Sequence, residues 1–237
     1  MGFKLRGYKR DIPQKVRDYS LFAIATEGTE REPDYFRLFD GIDRIKVDII
    51  EPEISDEEDV LEKRKASSPS KVLDKVKAYI AENQLSADDG DSLWCVIDVD
   101  RWPQEQIEEL HAFCTQKDNW NLVISNPCIE IWLLYHKRAD LTDLGILAAQ
   151  DAKQALDKIE KGGYYYIKYL PLMLNAIENS RKADTNPDGY MPELLQTKVY
   201  QLANALYERM GKVRFEKFVA SLPRIEKDIL KHKGQRQ

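Results

Sequence analysis

The chain has 237 residues, 43% of them hydrophobic and 32% charged, with a formal net charge of -5. That composition can bury a core and excludes a disordered chain, and no stretch approaches the roughly 18 apolar residues of a membrane span. Cys95, Cys114 and Cys128 show no Cys-x-x-Cys spacing, and three histidines are too few for an expected zinc site, so a soluble protein of a reducing compartment, the cytoplasm, is expected.

Residues 1–19 form a basic arm carrying Arg6, Lys9, Arg10, Lys15 and Arg17, too charged to read as a secretory leader. The run Leu21-Phe22-Ala23-Ile24-Ala25 reads as a buried strand ending in a turn at Glu27-Gly28. A short helix over 33–40 follows, opened by Pro33 with Tyr35, Phe36 and Phe39 on one side, then a strand over 46–50. Residues 51–62 hold seven acids and no base, a loop or solvated docking face. Ser68 is placed as the N-cap of an amphipathic helix over 70–83, with Val72, Leu73, Val76, Tyr79 and Ile80 as its apolar stripe.

The turn Asp88-Asp89-Gly90-Asp91 precedes a third strand over 93–97 that runs into Asp98-Val99-Asp100. Pro103 opens the next helix, Trp120 to Ile124 is a fourth strand, and a very apolar helix runs from Ile129 to His136. Strands alternating with helices predict a mainly parallel sheet with helices on its faces. From about residue 140 the pattern turns helical, with helices over 147–161, 170–180, 194–211 and 225–233 and no convincing strand. The expected organisation is therefore a basic arm (1–19), an α/β domain (20–139) and a helical region (140–237). The last stretch, 209–237, has nine Lys or Arg against three acids. Local patches of this kind, not net charge, set attraction for phosphate, although a solvated surface is the ordinary alternative.

Three acids fall just past the carboxyl ends of strands, where open α/β sheets place their ligands. Glu27 follows the first strand, and Asp98 and Asp100 follow the third. At a spacing of two, the last pair projects to one side and can share one hard cation, and Glu27 from a neighbouring strand would complete an oxygen set suited to Mg²⁺ or Mn²⁺. Taken alone, an Asp-x-Asp is more often a solvated turn.

The words around these acids narrow the reading. Residues 21–36, LFAIATEGTEREPDYF, resemble the opening of the RloB family through Glu27, Gly28, Glu32, Pro33, Tyr35 and Phe36. Asp98 and Asp100 fit that family's acidic strand end, and residues 125–136, SNPCIEIWLLYH, resemble its Asn-Pro, Glu, Trp and His stretch. The resemblance implies a TOPRIM-type fold in which a Glu and an Asp-x-Asp hold a divalent metal, here Glu27, Asp98 and Asp100. It further implies a metal-dependent nuclease of anti-phage defence or abortive infection, acting on DNA or RNA (tRNA included) beside a separately encoded ATPase. Thr26, Arg31 and the Arg101-Trp102 pair depart from the family's usual residues, which leaves the substrate open.

Further roles stay divided between chemistry and structure. Glu32 and Glu130 would serve a second ion or act as base, but Glu32 equally caps a helix and Glu130 equally belongs to an ion pair. Arg31 and Arg101 are the cations nearest the site in sequence and candidates for phosphate. Lys212, Arg214 and Lys217 would track a nucleic-acid backbone, with Tyr164–Tyr166 as stacking faces, unless these are ordinary surface and packed tyrosines. Asn126 would orient the acidic loop or simply start a turn, Trp132, Leu133 and Leu134 read as core, and His136 reads as a satisfied capping histidine. Two other readings compete with the nuclease. One is a non-catalytic module docking on an ATPase, with or without nucleic acid. The other is a phosphotransferase with Asp98 as nucleophile, for which Arg101-Trp102-Pro103 supplies no hydroxyl residue. No Walker A motif is present, and the oligomeric state is open.

Overall fold

The computed structural model describes residues 18–28, 31–50, 68–99, 102–160 and 165–234, with side chains as far as Lys227. The first half follows the expected alternation: β1 (Ser20–Thr26), α1 (Arg31–Arg37), β2 (Ile45–Ile50), α2 (Pro69–Glu82), β3 (Ser92–Asp98), α3 (Gln104–Cys114), β4 (Trp120–Asn126) and α4 (Glu130–Tyr135). Ser68 caps α2 as expected, its hydroxyl accepting from the Lys71 amide at 3.3 Å, and Pro69 takes the first helical position where its missing N–H costs nothing. Pro33 does not open α1, which starts two residues earlier at Arg31.

The second half is mostly helical: α5 (Ala149–Ile159), α6 (Met173–Ala183), α7 (Val199–Met210) and α8 (Lys212–Gly234), with short 3-10 turns at Thr142–Leu144, Tyr166–Lys168 and Leu170–Leu172. Two expectations are corrected there. The helix expected over 225–233 is the second half of a helix that starts at Lys212 and carries Pro223 inside it. A short strand, β5 (Gln196–Thr197), also lies where only helix was expected, and α7 starts after it. With two polar residues it offers no apolar alternation to read; its signal is backbone pairing alone.

The sheet has the order β2-β1-β3-β4-β5. β1, β2, β3 and β4 are mutually parallel, and β5 adds to β4 antiparallel through the pairs Ser125–Thr197 and Asn126–Gln196. Side chains alternate across it. Ala23, Ala25, Leu93, Cys95, Ile97, Leu122 and Ile124 face α2 and α3. On the other face Phe22, Ile24, Trp94, Val96 and Val123 meet α1 and the helices from α4 onward in one cluster that reaches Leu222. This is an α/β fold with a mainly parallel sheet and helices on both faces, the class expected from the alternation.

That distribution fixes a special place on the sheet. After β1 the chain crosses by α1, whose Tyr35 and Phe36 belong to one face; after β3 it crosses by α3, whose Ile107 and Leu110 belong to the other. Where crossovers of two adjacent parallel strands leave in opposite directions, a crevice opens at the carboxyl ends of those strands. Here it lies between the ends of β1 and β3, at Glu27 and Asp98.

Candidate functional site

Glu27 is 7% exposed. Its backbone N–H continues the sheet by donating to Val96 O at 3.0 Å. Its carboxylate bridges the two strand ends. Oε2 accepts the Asp98 amide at 3.0 Å, and Oε1 accepts the indole N–H of Trp102 at 2.8 Å. Asp98 is the last residue of β3, partly exposed, and its neighbour Val99 stays bound to β4 through Ser125 O at 3.0 Å. The ends of β1 and β3 thus meet through the Asp98 backbone amide and the Glu27 carboxylate, across 71 residues. Asp100 and Arg101 lie outside the described residues, as do Tyr164, the acidic run 51–62 and the basic arm as far as residue 17. Among the described residues no group of three or more His, Cys, Asp or Glu side chains is gathered to hold an ion.

The turn after Glu27 is shaped by Glu32. Its carboxylate folds back over Gly28, where a Cβ would force it to shift. Glu32 is buried, and that burial raises its pKa against the opposing pulls of its own backbone N–H, Arg31 and Lys153. Glu130, at the start of α4 and 2% exposed, is bound by the half-exposed Arg31 guanidinium in an ion pair that joins α1 to α4. Of the two roles open for Glu130, the structure therefore displays the ion pair, and Arg31 is held by it.

Other singled-out side chains have structural partners. His136 is buried between Trp132 O and the Tyr35 hydroxyl, both at 3.0 Å, and burial takes its pKa down to about 3, so it is a neutral core histidine. Asn126 donates to Pro192 O at 3.0 Å and accepts from the Leu195 amide at 2.9 Å, which steers the chain into β5 and not into the acidic loop. The Asn126–Pro127 peptide is cis. Tyr165 and Tyr166 are packed against the large core cluster.

The basic residues of α8 stand elsewhere. Phe215 and Phe218 seat that helix on the face opposite α2. Arg214 is paired with Asp43 at 2.6 Å, and Lys212 reaches Glu216 at 3.9 Å within the helix. Arg214 and Lys217 line a cleft of about 750 Å³ with Leu38, Ile42 and Val213. This cleft is bordered by the α1–β2 connection, so Lys212, Arg214 and Lys217 are not gathered around Glu27 and Asp98.

Two residues at the site were missed by sequence reasoning. Trp102 is the indole donor to Glu27. Lys75, on α2, directs its ammonium at Thr26 O, 3.4 Å away, in the shell of Glu27. A signal for Lys75 existed. It lies three and four residues from Val72 and Tyr79, along the edge of the apolar stripe of α2 where a lysine is half-buried.

The model of one protein family, described as RloB-like protein, matches residues 22–206, well over half of the chain. No curated protein and no solved structure shows a significant match.

Proposed function

The chain belongs to the RloB-like family, and we propose that it is a divalent-metal-dependent nuclease of the TOPRIM type, serving anti-phage defence together with a separate ATPase. The observation that carries the reading is the meeting of Glu27 and Asp98 at the crevice between β1 and β3, the place where parallel α/β sheets take their ligands. The donors fit a small hard cation. They are carboxylate oxygens, and magnesium is content with one or two carboxylates and several waters. Glu27 and Asp98, with Asp100 beyond the described residues, would hold it. Such an ion supplies a Lewis acid for a phosphodiester.

The chain's own residues prepare that site. The Asp98 amide and the Trp102 indole orient the Glu27 carboxylate, which would preorganise it as a ligand. Glu130 holds Arg31 in place at the N-terminus of α1, from where the guanidinium would meet a phosphate. Glu32, whose carboxylate lies over Gly28, would be an acid–base group beside the Glu27-Gly28 turn.

The test is calorimetric titration of Mn²⁺ and Mg²⁺ into wild type and Asp98→Ala, followed by cleavage assays on DNA and RNA with the ATPase present. Binding and cleavage should both be lost in the variant while its circular dichroism is unchanged. Full protection against phage by the Asp98→Ala protein would overturn catalysis at this site and leave the docking-module reading in its place.

A further inference from the structure

We propose that Lys75 is a phosphate-holding residue of this site, its ammonium binding an anionic oxygen of a nucleic-acid backbone beside Glu27 and Asp98. The inference rests on the nuclease reading and adds a residue, from the opposite side of the crevice, that the family words in the sequence do not include. α2 packs on the sheet through Val72, Leu73 and Val76, so the position of Lys75 is fixed by a buried stripe and not by a flexible surface. Its Nζ donates to Thr26 O at 3.4 Å, at the end of β1 and one residue before Glu27. An ammonium has three N–H donors. Among the described residues this is its one hydrogen bond, and no carboxylate lies within ion-pair distance.

Placing a half-buried cation there has a cost that Glu27 offsets only in part. Burial lowers the Lys75 pKa to about 8, against the attraction of Glu27 that pulls it up. Glu27 accepts hydrogen bonds from the neutral Asp98 amide and Trp102 indole, and neither bond uses the lysine. A lysine kept for packing alone would be served as well by a methionine of similar length. What the position offers is a positive charge with two N–H groups to spare, next to carboxylates that gather a cation. A phosphodiester is the ligand whose charge matches both.

The experiment measures binding, not turnover. A labelled single-stranded DNA oligonucleotide and an RNA of the same sequence are titrated with Ca²⁺ in place of Mg²⁺ so that no cleavage occurs, at salt from about 50 to 200 mM. Wild type, Lys75→Met and Lys75→Arg are compared, each checked for unchanged thermal unfolding and unchanged Mn²⁺ affinity. Removing one phosphate contact should reduce the slope of log K against log salt by about 0.7 in Lys75→Met, with the slope restored in Lys75→Arg. A Lys75→Met protein that binds with the wild-type slope overturns the inference and leaves the nuclease reading standing. Wild type that binds neither oligonucleotide overturns both. If Lys75→Met fails to fold, Lys75→Gln is measured in the same way, and a wild-type slope there is equally fatal.

Discussion

His136 is a base kept neutral by burial, and its surroundings set a pH dependence on the whole fold. Its pKa is about 3 in the folded protein and about 6.5 when unfolded. Below pH 6.5 the unfolded chain takes up a proton that the folded chain refuses, so this stabilisation is complete above 6.5 and is lost as pH falls toward 3. The loss is about 1.4 kcal/mol per pH unit, or about 2 kcal/mol between pH 6.5 and 5. Urea midpoints should therefore fall more steeply over that range in wild type than in His136→Asn; parallel lines would refute the assignment. Arg31 and Glu130 make a second case. Arg31→Ala leaves a carboxylate that is 2% exposed without its partner. Because Arg31 is half-exposed, the expected loss is about 2–3 kcal/mol, below the roughly 3–5 kcal/mol of a fully buried pair. Glu130→Met should recover much of that loss in the Arg31→Ala background, since the cost lies in the stranded charge. Chemical denaturation of the four proteins in the cycle would show it.

At the scale of elements, periodicity explains what the sequence discloses. The strands β1, β3 and β4 are short apolar runs ended by polar residues, and α2 has a stripe at helical spacing, so both kinds are visible locally. Glu27 and Asp98 are visible for the same reason, since the ends of such runs are where acids acquire meaning. α8 is disguised. Pro223 reads as a boundary, yet the helix continues through it, and Gly211, at φ 75°, is the true break between α7 and α8. The pairing of Arg31 with Glu130 spans 99 residues and could not be read from either neighbourhood. Lys75 was hidden differently. A lone lysine on an amphipathic helix looks like solvent-facing polarity until the end of β1 is known to lie beneath it.

For the whole molecule, the change of pattern near residue 140 is a change of element type within shared packing. One cluster holds Phe22 of β1, Trp132 of α4, Leu202 of α7 and Leu222 of α8. Lys198, 1% exposed, bonds both oxygens of Asp184 at 2.8 and 2.6 Å, which Tyr200 also meets at 2.8 Å, so the approach to β5 is pinned from inside. A fragment of residues 18–139 would keep four strands but leave the β4 edge unpaired and the faces of α4 uncovered. It should be insoluble or show no cooperative melting transition, whereas a fragment that melts like the intact chain would contradict a shared core.

β5 carries a consequence for the order in which the protein is made. Thr197 must reach back 72 residues to Ser125 before the sheet has its last edge. A ribosome delivering the chain from its N-terminus has thus released most of it before β4 can be closed, and the parallel strands wait as an open template in the meantime. The edge of β4 therefore stays open to other strands until residues 196–197 have been delivered.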